Sequence, residues 1–280
     1  MRLQKLKCYA KINISLNIIN KLKSNFHRIK SIISFINLYD LIFIKKIKSN
    51  NHEIVFTGKF SKGIKKQNSI DNLLKILDRN NLLENKKFYI KIIKNIPQES
   101  GMAGGSMNAS SVINFLVRKK FLKATKKKIQ TISNLIGSDV ILGVNQNNKY
   151  INDKHNLIKI MRRTGLNLVI TKPNFGCSTK MIYSSLKLNN NVKISKKFTN
   201  NRAGLIKLKN DLEIPAFKKY PKLKKLKLYL SNLPNVYFVR MTGSGSSIIA
   251  YFLSKKDALK AQKSIKKNYK NYWCIISKTI

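Results

Sequence analysis

From residue 9 to residue 19 the chain alternates, with Ile12, Ile14, Leu16 and Ile18 on one side and Asn13, Ser15 and Asn17 on the other. A period of two sends successive side chains to opposite faces of an extended backbone, so this stretch is expected as a half-buried strand. A loop over 21–27 follows, and the apolar run 32–44 and the shorter 53–57 read as two further strands. Ser69 and Asp71 are placed to cap a helix through Leu73, Leu74, Leu77 and Leu82, after which 88–93 returns to alternation until Pro97 ends it.

Beyond a glycine-rich segment, 108–121 and 127–136 read as helices, with Gly137 where a helix C-terminus favours glycine. Between about 145 and 155 the chain is rich in Asn and Lys and loses periodicity, which places a domain boundary near residue 150. The second half reads as a strand at 166–171, helices near Ser178, Arg202 and Lys218, strands at 236–240 and 248–252, a helix over 258–265 and a last strand at 273–277. This order of elements predicts an α+β fold in two domains, 1–150 and 151–280.

The 280 residues, 43% of them hydrophobic, are enough for a sizeable core and argue against a disordered or fibrous chain. Cys8, Cys177 and Cys274 are odd in number and far apart, so neither a disulfide framework nor a zinc site is indicated, and a reducing compartment fits. His27, His52 and His155 are equally scattered, so any metal is expected to arrive with a substrate. The most apolar run, 32–44, is too short to span a bilayer and contains Asn37 and Asp40. Strand-like alternation begins almost at the first residue and leaves no room for a leader, so a cytoplasmic protein without membrane attachment is expected.

The formal net charge of +46 raises the possibility of a nucleic-acid partner, because a dense positive field attracts phosphate backbones. The lysines are spread over nearly every segment and accompany abundant Asn and Ile, a trio favoured by AT-rich coding sequence. Nucleic acid is therefore not expected as a partner, although the same field favours small polyphosphates.

The segment 97–111 reads PQESGMAGGSMNASS and lies between a strand and a helix. Gly101, Gly104 and Gly105 let the backbone bend freely, and Ser106 and Asn108 stand where a helix begins. A helix N-terminus carries about half a positive charge and unpaired N–H groups, so the turn suits a polyphosphate; a plain strand-to-helix turn has the same appearance. The spacing is neither that of a Walker loop nor that of a dinucleotide fingerprint.

Pro97, Gly101, Met102, Ala103, Gly104, Gly105, Ser106, Asn108 and Ala109 resemble the phosphate loop of the GHMP kinase superfamily. The chain resembles in particular the diphosphocytidyl-methylerythritol kinase family within it. Its Pro-Ala-Lys-Ile-Asn-Leu-x-Leu opening is matched from Tyr9 to Leu16, its Tyr-His pair by Phe26 and His27, and its Asn-Leu segment by Asn72 and Leu73. Ile136, Gly137, Ser138, Asp139 and Val140 resemble Leu-Gly-Ala-Asp-Val, and Lys172, Pro173, Gly176, Ser178 and Thr179 resemble Lys-Pro-x-x-Gly-x-Ser-Thr. Asn210, Asp211, Leu212 and Glu213 follow, and 241–246, MTGSGS, resembles the glycine motif near the family's C-terminus. The resemblance covers essentially the whole chain.

It implies a mixed N-terminal sheet with helices, a ferredoxin-like C-terminal domain, and an active site between the two. ATP, carrying Mg2+, is the implied co-substrate, and the implied reaction phosphorylates the 2-hydroxyl of diphosphocytidyl-methylerythritol in isoprenoid precursor synthesis. Asp139 would act as base with Lys11 as its partner; a carboxylate in the apolar context 136–142 needs such a partner to stay charged. ATP contacts are implied for Pro97, 101–106, Asn108 and Asn72. Substrate contacts are implied for Asn13, Phe26, His27, Thr179, Tyr183, Gly243, Ser244 and Gly245. A monomer or homodimer is expected.

Some positions depart from the family pattern. Gln98, Glu99 and Ser100 replace small residues, and a carboxylate beside a polyphosphate repels it unless it turns outward. Met107, Ile141 and Thr242 are modest volume changes, and the family's Gly-x-Gly-Glu segment is not recognisable in 145–157. Two alternatives stay open: a sibling kinase acting on another small alcohol, and a family member that has lost activity and binds RNA.

Overall fold

The alternating opening segment forms a strand, which the computed structural model extends to β1, Gln4–Lys21. The structure describes residues 2–21, 27–144, 147–152, 157–159, 165–186 and 202–280; Phe26, His155 and part of the expected boundary stretch lie outside them. In the middle of β1 both faces are covered, not one: Lys11, Asn13 and Ser15 are 4%, 2% and 3% exposed, alongside Ile12 and Ile14 at 0%. The half-buried expectation fails because these polar side chains bond within the protein. Asn13 Nδ2 donates to Ser31 Oγ at 2.8 Å, and Ser31 Oγ donates to Ser15 O.

Contacts divide the chain into two units, and β1 and the long strand β2, His27–Ile47, contribute a part to each. The first unit comprises Met1–Ala10, Leu38–Gln98 and Ala103–Gln146. Here β2 pairs antiparallel with β4, Lys87–Ile93, and β3, Glu53–Thr57, runs parallel to β4, so the sheet is mixed.

Helix α1, Ser69–Arg79, is capped by Asn68, whose Oδ1 accepts the N–H groups of Ile70 and Asp71; the expected caps Ser69 and Asp71 lie inside the helix. Its buried stripe Ile70, Leu73, Leu74 and Leu77 is worth about 1.5–3 kcal/mol per side chain. Helix α2, Gly104–Arg118, starts four residues before the expected 108, because Ala103 at φ 55° turns the chain directly into it. Thr125 caps α3, Lys126–Ile136, and Gly137 closes it. The single turn α4, Val140–Gly143, is too short for its periodicity to register.

The second unit comprises Lys11–Asn37, Glu99–Met102 and Asn147–Ile280. One unit boundary thus falls at Gln146, and the others lie within β1, next to Leu38 in β2, and on either side of Glu99–Met102. Of two three-residue strands, β5 (Lys149–Ile151) lies in the stretch that carried no periodicity and β6 (Leu157–Lys159) just beyond it, and β5 pairs with Ser31, Ile32 and Ile33 of β2.

The rest of this unit holds β7 (Asn167–Lys172), α5 (Thr179–Ser184), α6 (Arg202–Ile206), α7 (Glu213–Lys219), α8 (Pro221–Ser231), β8 (Phe238–Met241), β9 (Ile248–Phe252), α9 (Lys255–Asn268) and β10 (Trp273–Lys278). Where one helix was expected near Lys218 there are two. Pro221 has no N–H with which to continue α7, and it suits the first position of α8. The antiparallel sheet runs β10-β7-β9-β8, the β-α-β-β-α-β order of a ferredoxin-like unit.

Each unit has its own core. In the first, Ile42, Ile44, Ile90 and Ile92 meet Leu73, Leu77, Val112 and Leu116. In the second, Val169, Ile248 and Ala250 meet Leu223, Leu226, Leu230 and Ile265. Among the described residues no helix is long and apolar enough to cross a membrane.

Candidate active site

In the first unit the N-terminus of α2 has no side-chain cap. Among the described residues the N–H groups of Gly104, Gly105 and Ser106 meet no protein acceptor, and only at Met107 does a bond return, to Ala103 O at 2.9 Å. The N-terminus of α1 lies beside it, since a Cβ on Gly105 would stand 3.1 Å from Ser69 Oγ. The first turns of two helices of 11 and 15 residues are therefore adjacent. Each helix N-terminus carries about half a positive charge, so the unpaired amides of α2 beside the start of α1 suit an anion.

Pro97 is buried ahead of these amides and Asn72 is exposed in the first turn of α1. Asn108 is 2% exposed, and its Oδ1 has no partner among the described residues.

Asp139 precedes α4 at φ −84°, and its carboxylate makes no capping bond to that turn. Ser110 ties the same region to α2, with its Oγ 2.7 Å from both Ser106 O and Val140 O. A Cβ at Gly137 would stand 3.8 Å from Ser106 Oγ. The loop serine and the Asp139 segment are thus neighbours within one unit.

In the second unit Lys11 Nζ donates to Asn13 Oδ1 at 2.8 Å, and Lys11 N–H reaches Met102 O at 3.3 Å. Asn13 N–H donates to Thr242 Oγ1 at 3.0 Å, and Thr242 Oγ1 donates to Gly101 O at 3.2 Å. Gly101 at φ 73° approaches Thr242 so closely that a Cβ would lie 2.0 Å from its carbonyl oxygen. The β1 residues, the segment Glu99–Met102 and the glycine loop after β8 are therefore brought together.

Thr179 Oγ1 is 2.8 Å from Ser244 Oγ, and the His27 and Tyr183 rings lie with centroids 5.0 Å apart at 41°. Gly243 packs on Gly101, and Gly245 N–H bonds Thr242 O at 3.0 Å. Phe26 lies outside the described residues. Glu99 lies on Gly176, where an added Cβ would be 2.0 Å from Glu99 Oε2. Nearby Lys172 is held below its ordinary value by burial, against the opposing charges of Cys177 and Glu99.

Ser31, Thr242 and Asn210 also shape this region, and sequence reasoning gave them no role. Asn210 Nδ2 donates to Met241 O and Gly243 O, both at 2.8 Å, while its Oδ1 accepts from Leu212 N–H at 3.0 Å. Glu213 Oε1 accepts Met241 N–H at 2.8 Å, and Asp211 Oδ2 accepts Ile18 N–H at 2.8 Å. The available signal was the run Asn210–Glu213 itself; Ser31, a lone serine beside an apolar run, offered none. Among the described residues no three His, Cys, Asp or Glu side chains cluster as a metal site would require.

Residues 68–147 match the GHMP kinases N terminal domain, and 182–271 match GHMP kinases C terminal. A 4-diphosphocytidyl-2-C-methyl-D-erythritol kinase of Pelagibacter ubique (strain HTCC1062) is 50% identical over 281 residues, covering 99% of this chain and 99% of that protein. The enzyme of the same name from Clostridium perfringens (strain 13 / Type A) is 31% identical over 290 residues, covering 99% of this chain and 98% of its own. A crystal structure of a 4-(cytidine 5'-diphospho)-2C-methyl-D-erythritol kinase superposes with a TM-score of 0.75 at 18% identity, covering 98% of this chain and 99% of that one, a likeness of fold. With half of all residues shared along nearly the full length of the Pelagibacter enzyme, the chain belongs to the GHMP kinase family, in its 4-diphosphocytidyl-2-C-methyl-D-erythritol kinase branch.

Proposed function

We propose that this chain transfers the γ-phosphoryl group of ATP to the 2-hydroxyl of 4-diphosphocytidyl-2-C-methyl-D-erythritol, in the supply of isoprenoid precursors. The reaction class rests on the uncapped N-terminus of α2, where three unpaired amides lie beside the first turn of α1. The choice of alcohol rests on the 50% identity with the Pelagibacter kinase.

In this reading the amides of 104–106 hold the polyphosphate and absorb charge as the γ-phosphorus is attacked. Asp139 accepts the proton of the attacking hydroxyl, and Lys11, oriented by Asn13, offsets developing charge. Magnesium travels with ATP as part of the substrate. Thr179 and the glycine loop 243–245 line the alcohol's path, and the tilted His27 and Tyr183 rings offer a face and a hydrogen-bonding nitrogen to the cytosine. Cytoplasmic location is part of the same proposal.

The test is incubation with the cytidine diphosphate alcohol, ATP and magnesium, with ADP release and the new phosphate monoester followed by phosphorus NMR. Asp139→Asn is expected to lower the rate by about 10²–10⁴, the usual worth of a general base. Equal rates for Asp139→Asn and parent would overturn the mechanism. Turnover of homoserine, mevalonate or galactose in place of the cytidine alcohol would overturn the substrate.

A further inference from the structure

In the first unit a buried ion pair stands directly behind the candidate phosphate loop. Asp40, in the middle of β2, is 0% exposed and pairs with Lys94 Nζ, just beyond the end of β4, at 5%. Asp40 Oδ1 also accepts the N–H groups of Asn95 at 2.7 Å and Ile96 at 2.9 Å. Lys94 is held from the other side as well, by its N–H to Thr57 O at 2.7 Å. Its ammonium then reaches the start of α2, since a Cβ on Gly104 would stand 3.3 Å from Lys94 Nζ and 3.1 Å from Ile96 Cγ2. One carboxylate thereby organises the residues that enter the loop, and through Lys94 it touches the residue that leaves it.

Stability alone is a poor reason for this arrangement. Taking two charges out of water is expensive, and an apolar pair of similar volume commonly serves as well. Placing an ammonium at the positive end of a helix adds to the cost, unless an anion sits on the other side of the amides. A nucleotide phosphate is such an anion.

We propose that Lys94, held by Asp40, is a positioning residue for the nucleotide phosphates, setting Gly104 in place and adding a buried positive charge behind the amides of 104–106. The inference rests on the reading of this loop as the ATP cradle and names what tunes it. Cys8 of β1 faces the pair; burial pushes its thiol up to about 12, so it stays neutral throughout the working range.

The experiment compares the parent with the double variant Asp40→Asn/Lys94→Met. The introduced carboxamide keeps an acceptor for the N–H groups of Asn95 and Ile96, and the introduced thioether keeps the bulk of the lysine stem. The expected result is an ATP KM raised about tenfold or more, as loss of one close charge contact implies, with the KM of the alcohol and the melting temperature nearly unchanged. An unchanged ATP KM, or parallel loss of both KM values, kcat and melting temperature, would overturn the proposal.

If the double variant does not fold, Lys94→Arg carries the test, since it keeps a positive charge against Asp40 but changes how that charge reaches Gly104. Its ATP KM should rise about threefold or more with the KM of the alcohol unchanged. An ATP KM equal to the parent's overturns the proposal. A parent that turns over no ATP would instead overturn the functional reading itself.

Discussion

Replacing Gly101 with Ala is the most direct physical probe of the loop. The added methyl carbon would lie 2.0 Å from Thr242 O, 2.9 Å from Thr242 C and 3.0 Å from Gly245 O, all backbone atoms. Contacts under 3.0 Å are essentially never tolerated, so the two segments must part by about 1 Å. A side chain at φ 73° adds about 1–2 kcal/mol of strain. Weakening the bond from Thr242 Oγ1 to Gly101 O costs about 1 kcal/mol more. The expected loss of stability is about 2–4 kcal/mol, read as a lower urea midpoint at unchanged slope. A displacement of about 1 Å next to reacting groups costs on the order of 100-fold, so kcat/KM should fall by that amount in a coupled ADP-release assay. Gly63→Ala is the matched control, because Gly63 has φ 81° and nothing within 4 Å of its Cβ position. It should lose about 1 kcal/mol through strain alone and keep full activity. Gly101→Ala with parental kcat/KM and an unchanged urea midpoint would refute the reasoning.

Burial brings Lys149 down to about 8, so between that value and its ordinary 10.5 the unfolded chain binds the extra proton and stability rises with pH. Lys149→Met should therefore be more stable than the parent by about 2–3 kcal/mol at pH 7, with the gap closing above about pH 10.5; a pH-independent gap in urea melts contradicts this. Asn210→Asp sets a carboxylate against the carbonyls of Met241 and Gly243 and should cost about 2–4 kcal/mol at pH 7. That carboxyl's folded value is raised, so the penalty fades as pH falls towards about 4, and equal gaps at pH 5 and pH 8 speak against it. Cys8, Cys177 and Cys274 are buried, and burial pushes the first to about 12 and the second to about 11. A chromogenic disulfide reagent should find no fast thiol in the native protein and all three after unfolding.

Local pattern was legible wherever it repeated. The strands 53–57 and 248–252 coincide with β3 and β9 to the residue, because alternation or an unbroken apolar run says directly which backbone period buries the side chains. The turn into α2 was legible as glycines ahead of a helix, although its start at Gly104 was not, since Ala103 takes a left-handed conformation that composition alone does not announce. The strands β5 and β6 were missed for a different reason. Three residues carry no period, and they become strands because β2 presents an edge for β5 to pair with.

The charged and polar core was least visible. Asp40 looked like an interruption of an apolar run, and only the packing of β2 against the segment after β4 brings Lys94, Asn95 and Ile96 to its carboxylate. Asn210 is more than thirty positions from the carbonyls it holds. The amino-acid order by itself determined the strand and helix periods, the α+β class, the glycine turn and the family likeness, all of which depend on neighbours along the chain. Which polar groups end up dehydrated, and which distant carbonyl, amide or ammonium compensates each one, was decided only by tertiary structure, because a buried donor or acceptor must find its partner in space.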